Sequence, residues 1–553
     1  MRKINIKFLV STLLLLFHIL SMSAQGPECL FIHFDKSFYA SGETIWFKAY
    51  QIGALNEARS RVLHVDLVNH QNILISSQKL PIEGGCAIGS IKLPMDALEG
   101  FYRFRAYTRY NLNFDPSVIY RAEIPVYSLD GETLPDHHQE KDMKPARTSG
   151  IAVFTDQEIY LPRDSLSVSF KVNGSSDQSM EGSFSISIVP SELVGTEFQF
   201  DQESACASSV PKPGRIILPE RTLFVEGSLI DPSTGNEISS RLLSVYVGQT
   251  SQLIRASARD GQLKVAVPDY NGPGFFQILN LDPYSTTVPK LLPAPNLPED
   301  AYFNPGPPLR TPIVSQYLDK LTRRRKIIEL FDLYNTPQVE TEVYDLRIPD
   351  AVYTTTDFNR IYSFEQFINE AIPNVRVREI DGSKTVRLFN REQGRLFEDH
   401  PWYMVDGFLT FNEQQVLQIP YPDIVEVRLY SKTTTLEKYF QGFMFRSGIM
   451  EITTRDVKYV RELKASPNVI EIEGFSPPAN FHEMLNPTGD KLIPDLRGTT
   501  YWSPEVYTDS LGNGQITIPL SDDTGNFAIV VMGTNNQRLP VAGYQTFKVE
   551  LKP

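Results

Sequence analysis

The chain has 553 residues, with 53 basic and 66 acidic side chains, a formal net charge of −13, and 41% apolar and 11% aromatic residues. That length accommodates several domains and that apolar content builds ordinary cores, which excludes a disordered acidic tail. The acidic balance argues against a nucleic-acid partner, and three cysteines are too few for a disulfide scaffold or a Cys-rich metal domain.

Residues 1–24 read as a signal peptide. Arg2, Lys3 and Lys7 form a charged start, Phe8 to Leu20 an apolar core, and Ser21 to Ala24 a run of small residues. The apolar run falls short of the ~20 residues a spanning helix needs, so cleavage after Ala24 is expected rather than anchoring. Cys29 follows Gly26-Pro27-Glu28 and is not placed as a lipoprotein cysteine. No later segment reads as a transmembrane helix. The mature chain is therefore expected to be exported, residing in the periplasm, against the outer membrane or at the cell surface. In such a compartment a Cys29–Cys86 bridge, both residues opening strand-like runs, stands beside the alternative of separate thiols at Cys29, Cys86 and Cys206.

An internal repeat organises the first part of the mature chain. Asp35, Tyr39 and Glu43 recur as Asp156, Tyr160 and Asp164 at an offset of 121 residues. Each copy predicts a strand, a turn at Ala40-Ser41-Gly42 or Leu161-Pro162-Arg163, and a second strand with period-2 apolar positions: Ile45, Phe47 and Ala49, then Leu166, Val168 and Phe170. Short strands with frequent turns and a ~100-residue period suit tandem β-sandwiches. In the first copy Trp46, Lys48 and Tyr50 share the face opposite the core. Trp46 is then either an exposed binding aromatic or a ring covered by a neighbouring domain; a Lys stem tolerates an apolar cover, and coverage is favoured.

The motif Asp35-Lys36-x-x-Tyr39-x-x-Gly42-Glu43-Thr44-Ile45-Trp46-Phe47-Lys48-Ala49-Tyr50, with Gly100 to Tyr107, resembles the macroglobulin-like sandwich near the N-terminus of alpha-2-macroglobulin-type exported proteins. The copy at 150–190 implies a second such sandwich. Residues 129–149 read as a polar linker, in which His137 and His138 are more simply solvated than metal-bound. Leu223 to Leu279 reads as a third β unit, weakly similar to the regulatory β domain of carboxypeptidases. A Pro-rich stretch at 285–312 reads as a connector, and Val314, Leu318, Leu321, Ile328 and Phe331 recur at helical spacing behind it. Arg323-Arg324-Arg325-Lys326 within that helix is read as a solvated face, against an anionic-lipid or polyanion contact.

Between 345 and 456 the pattern is mixed α/β. Ser363 and Gln366 form a capping box before a helix with Phe364, Phe367, Ile368 and Ala371 on its apolar face. Strands are predicted at 375–377, 386–388, 402–405, 425–429 and 449–453. Tyr403-Met404-Val405-Asp406-Gly407, Pro422-Asp423-Ile424-Val425-Glu426-Val427 and Ser447 to Arg455 resemble the plug domain of TonB-dependent receptors. Only ~100 residues follow, too few for a receptor barrel. The C-terminal stretch returns to β, from Arg497 through Gly512-Asn513-Gly514 to Leu520, similar to a later macroglobulin segment; Asp522 to Asn526 reads as a hairpin turn rather than a calcium loop.

The fold class expected is thus mainly β: tandem immunoglobulin-like or macroglobulin-like β-sandwiches with a small α/β plug-like domain. The expected boundaries are 1–24 signal peptide, 25–128 macroglobulin-like sandwich, 129–149 linker, 150–218 second sandwich, 219–284 third β domain, 285–344 connector and helix, 345–456 plug-like domain and 457–553 C-terminal macroglobulin-like β domain. No cysteine stands in a Cys-Gly-Glu-Gln thioester, His482-Glu483-Met484-Leu485-Asn486 lacks the second His of a zinc-protease helix, and no nucleophile elbow or phosphate loop occurs. No catalytic, cofactor or metal residue is nominated. The reading is a non-catalytic envelope protein that binds or scaffolds periplasmic or outer-membrane proteins, with peripheral membrane association. Its main partner contact is expected in 346–456 through edge strands such as 449–453. The alternatives are a steric, thioester-free protease trap with its bait at 285–312, and a secreted hydrolase or glycan-binding module.

Overall fold

The computed structural model describes residues 26–53, 59–129, 150–173, 181–194, 209–213, 217–248, 252–280, 289–293, 306–330, 347–358, 360–380, 383–410, 412–440, 447–455, 459, 461, 464–477, 480–481 and 493–551. The expected signal peptide, nearly all of the linker, Cys206 and the His482 motif lie outside them. The chain divides into two compact units, one comprising 1–221, 300–338 and 476–553, the other 222–299 and 339–475.

The first unit opens with β1 (Leu30–Phe34), β2 (Tyr39–Ala40), β3 (Thr44–Gln51), β4 (Val62–Val68), β5 (Leu74–Pro81), β6 (Cys86–Lys92), β7 (Gly100–Tyr107) and β8 (Tyr120–Tyr127). They form a three-stranded sheet, β1-β3-β6, and a five-stranded sheet, β2-β8-β7-β4-β5. Alternation sends Ile32, Ile45, Phe47 and Ile91 inward from the small sheet to meet Leu63, Val65, Tyr102 and Phe104 of the large one. The β4–β5 hairpin is closed by Asn69, whose Oδ1 accepts from the amides of Gln71 and Ile73.

The second sandwich begins with β9 (Ile151–Thr155), β10 (Ile159–Tyr160), β11 (Ser165–Val172) and β12 (Ser183–Pro190). β9, β11 and β12 start 121 residues after β1, β3 and β4, so the repeat extends beyond the matched motif. The chain then departs before this sandwich is complete.

The second unit contains β13 (Leu223–Ile230), β14 (Ser240–Val247), β15 (Gln252–Arg259), β16 (Gln262–Val267), β17 (Pro273–Asn280) and β18 (Lys290–Pro293). Helix α1 (Pro312–Leu330) belongs to the first unit, where Val314, Tyr317, Leu318 and Leu321 pack on Phe38, Tyr127 and Leu193. The second unit resumes with β19 (Ala351–Thr354), α2 (Phe364–Ala371), β20 (Val375–Ile380), β21 (Ser383–Asn390), β22 (Arg395–Leu396), β23 (Trp402–Val405), β24 (Phe408–Thr410), α3 (Glu413–Leu417), β25 (Ile424–Tyr430), α4 (Thr433–Tyr439), β26 (Ile449–Thr454) and β27 (Val469–Glu473). Its sheets are ordered β18-β13-β16-β15-β14-β17-β27, β19-β25-β26-β23-β24 and β20-β21-β22. The predicted cap of α2 forms, Ser363 Oγ accepting from the Gln366 amide, while the Gln366 side chain reaches back to the Tyr362 amide. The segment 449–453, expected at an edge, lies instead in β26 between β25 and β23; its apolar run Ile449, Met450 and Ile452 is covered on both faces.

Back in the first unit, β28 (Tyr501–Tyr507), β29 (Asn513–Pro519), β30 (Gly525–Thr534) and β31 (Pro540–Val549) finish the second sandwich. Its sheets, β10-β31-β30-β12-β28 and β29-β11-β9, repeat the strand order of the first. This corrects the expectation of separate domains at 150–218 and 457–553, because strands from both share one core around Phe170, Ile186, Trp502 and Phe547. The connector at 285–312 likewise contributes a strand, β18, and the sheet assigned to 219–284 takes β27 from beyond 456.

Candidate functional site

The repeated motif builds the same turn twice. In the first copy Asp35 Oδ1 accepts from the Tyr39 hydroxyl at 2.5 Å and the Trp46 amide at 3.1 Å, and Glu43 Oε2 accepts from the Ala40 amide at 2.8 Å. In the second, Asp156 Oδ1 accepts from the Tyr160 hydroxyl at 2.6 Å and the Ser167 amide at 2.9 Å, and Asp164 Oδ2 accepts from the Leu161 amide at 2.8 Å. Gly42 and its counterpart Arg163 both hold positive φ, at 79° and 63°. The carboxylates that recur are thus turn-forming groups, spent on neighbouring donors.

The outer face of β3 carries the most unusual chemistry. Trp46 is 5% exposed, and Lys48 and Tyr50 are fully buried. Their cover is the second sandwich. Trp46 stands edge-on to Phe481, with centroids 5.5 Å apart, and joins the second sandwich's core cluster. Lys48 Nζ donates to Ser183 Oγ at 2.6 Å and the Pro504 carbonyl at 2.7 Å. The Tyr50 hydroxyl lies 2.7 Å from Ser185 Oγ and donates to the Met532 carbonyl at 3.0 Å. His33, paired with Lys48 across the strands, reaches Ser185 Oγ at 2.6 Å and Ser187 Oγ at 3.3 Å, with its edge to Trp502. Of the two readings of Trp46, coverage by a neighbouring domain is the one the packing supports.

Burial pushes the His33 imidazole down to about 3, with Lys48 adding to the effect, so it sits neutral in the seam. Burial lowers the Lys48 ammonium to about 8, against the favourable fields of Cys86 and Glu505. At the end of the seam Asp35 is pushed up to about 6 by burial, opposed by Lys36 and by hydrogen bonds from Thr499 and Tyr39. Lys36 Nζ bonds Glu43 Oε1 at 2.5 Å and the α1 residue Tyr317 at 2.8 Å. Burial alone raises the Glu43 carboxyl, but Lys36 and the Tyr317 hydroxyl outweigh it and hold it below its ordinary value.

Sequence reading missed the serines of β12. Ser185 and Ser187 alternate with the core residues Phe184, Ile186 and Ile188, which predicts a solvent face, yet both are buried. The discriminating signal was the absence of any charged residue on that face of a strand of otherwise ordinary pattern. Asp522 and Asp523, weighed as a calcium loop, face cations: Asp522 takes a bidentate bond from Arg163, and Asp523 pairs with Lys320.

Neither cysteine alternative holds as stated: the cysteines are not all separate thiols, and a Cys29–Cys86 bridge does not form. Cys29 is disulfide-bonded, Cys86 carries a free thiol, and the chain's third cysteine, Cys206, lies outside the described residues. The reason is topological. β1 and β6 flank β3 on opposite sides, two strand spacings or ~10 Å apart, beyond the ~7 Å Cα reach of a disulfide. Cys86 lines a polar cavity of about 430 Å³ with Glu181, Ser183, Asn535 and Arg538. Burial raises its thiol against the pull of Lys48 and Arg538, which makes it a weak nucleophile at neutral pH.

No protein-family model and no curated protein sequence matches the chain. Among solved structures it is similar to a Salmonella alpha-2-macroglobulin reacted with methylamine, at 10% identity and a TM-score of 0.25, over 96% of this chain and 40% of that one. It is similar also to an Escherichia coli alpha-2-macroglobulin activated by porcine elastase, at 9% identity and a TM-score of 0.25, over 95% of this chain and 44% of that one. A DUF4785 family protein from Legionella pneumophila aligns over 29% of this chain, at 11% identity and a TM-score of 0.14. The chain spans less than half the length of the solved macroglobulins it matches.

Proposed function

We propose that the chain is a non-catalytic, exported envelope protein that scaffolds other envelope proteins. The observation that carries this reading is the seam itself. His33, Lys48, Asp35 and Glu43, the buried groups best suited to chemistry, are each held by partners from the second sandwich, its flanking segment or α1. Groups so engaged fix geometry, and two sandwiches joined through buried, satisfied polar contacts make a firm platform. The export signal read at 1–24 supports an envelope location, and among the described residues no helix is long and apolar enough to cross a membrane.

The plug-like likeness of 345–456 makes that segment the docking module in this reading. With β26 central, the edge of its sheet left for a partner is β19, since β24 at the other end is buried and the Gln277 side chain holds both the amide and the carbonyl of Leu409. Affinity purification from envelope extracts with the mature chain and with a 346–456 deletion tests the proposal. Loss of co-purifying envelope proteins on deletion is expected, and an unchanged set would reject it. The protease-trap alternative loses part of its bait, because Lys290–Pro293 is paired to β13 as a strand.

A further inference from the structure

The basic run of α1 is not absorbed by the scaffold reading. Arg325 is paired within the helix, its Nε 3.1 Å from Glu329 Oε1. Arg324 instead lines a cavity of about 70 Å³ at the end of the small sheet of the first sandwich, together with Lys36, Glu43, Thr44, Lys92 and Arg497, and with Trp46 and Phe481 in its wall.

The charges of this cavity do not cancel. Lys36 is neutralised by Glu43, and Arg497 is clamped by Asp495. Lys92 and Arg324 remain, and among the described residues neither makes an ion pair. Lys92 is exposed at the rim; partial burial of its stem, and then the field of Arg324, lower its ammonium below the ordinary value against the opposing field of Glu43. Thr44 Oγ1 is buried without a hydrogen-bond partner. Like charges that solvent and Glu43 offset only in part, held beside an unspent hydroxyl on a chain of net charge −13, make a place where an anion is favoured.

The geometry points to a binding site for a small oxyanion of the phosphate class, with Lys92 and Arg324 as cationic donors and Thr44 as the neutral one. A guanidinium fork and an ammonium suit phosphate oxygens, and the cavity has room for one such group and no more. The phosphate has two candidate sources, a free ion or the headgroup of an anionic phospholipid.

The test uses the full mature chain. Thermal unfolding is followed with increasing inorganic phosphate against chloride at matched ionic strength. A saturable rise in Tm is expected, weakened at least tenfold in midpoint concentration by R324Q and by K92Q, and preserved in R323Q, whose arginine is exposed and outside the cavity. Phosphate-free Tm values at or above wild type certify that the variants fold, since each removes a repulsion. Flotation with phosphatidylglycerol vesicles, competed by inorganic phosphate, identifies the source: binding lost in R324Q assigns a lipid headgroup, and a Tm response without flotation assigns the free ion. No phosphate-specific shift, or one equal in wild type, R324Q and K92Q, overturns the site.

Discussion

Trp46 and His33 show how single residues bind the two sandwiches together. Trp46 belongs to a strand of the first sandwich yet packs in the core cluster of the second, so Trp46→Ala leaves a cavity at the seam. A loss of ~3 kcal/mol is expected from urea unfolding of the whole chain. His33 gives the seam a pH signature. Its folded value of about 3 lies below the ordinary 6.5, so the native state binds fewer protons between them, and stability falls as pH drops from 6.5 toward 3, at up to ~1.4 kcal/mol per unit. Asp35 acts in the opposite sense. Its folded value of about 6 exceeds the ordinary 3.8, so its contribution is full below 3.8 and is lost as pH rises through 6. The two oppose each other between pH 4 and 6. His33→Gln is expected to flatten the acid-side decline, and Asp35→Asn to steepen it, in urea midpoints measured from pH 4 to 7.

At the scale of elements, the repeated turn separates what a motif does from where it sits. Asp156 and Asp35 make the same local bonds, but Asp35 is buried and also accepts from Thr499, while Asp156 keeps solvent within reach. Asp156→Ala is expected to cost ~1–2 kcal/mol, the ordinary loss of a cap-like acceptor. Asp35→Ala is expected to cost ~3 kcal/mol or more, because it strands the buried donors of Tyr39, Trp46 and Thr499. The same contrast explains what was legible in the sequence. Period-2 runs predicted β3 and β11 well, short apolar runs marked β23, β25 and β26, and helical spacing predicted α1, because those signals are local. The buried serines of β12 were missed because their cover is another domain, and the uncharged face of the strand was the one local sign of it. The edge placement of 449–453 failed because, besides its sequence neighbour β25, the non-consecutive strand β23 pairs with it in parallel on the other side.

Pairing between remote segments is also what makes the whole molecule. β11 pairs with β29 and β12 with β28 and β30, with the second unit lying between them in sequence. The second sandwich therefore closes only after its last strands exist, and such non-local contacts pay their loop-closure entropy before any packing rewards them. The cysteines add a covalent expectation: peptide mapping of the oxidised protein should recover Cys29 in a disulfide and Cys86 as a free thiol open to alkylation. A chain ended at Phe475 tests the architecture more directly. It keeps β1–β8 with their complete core but leaves β9–β12 without β28–β31, and it strips Lys48 and Tyr50 of the Pro504 and Met532 carbonyls. Hydrogen exchange of this truncated chain should show β4 and β7 amides protected as in the full protein, and β11 and β12 amides exchanging at nearly unprotected rates. Protection of β12 undiminished by the truncation would mean that residues 150–218 fold as a sandwich of their own, and the shared-core architecture would be wrong.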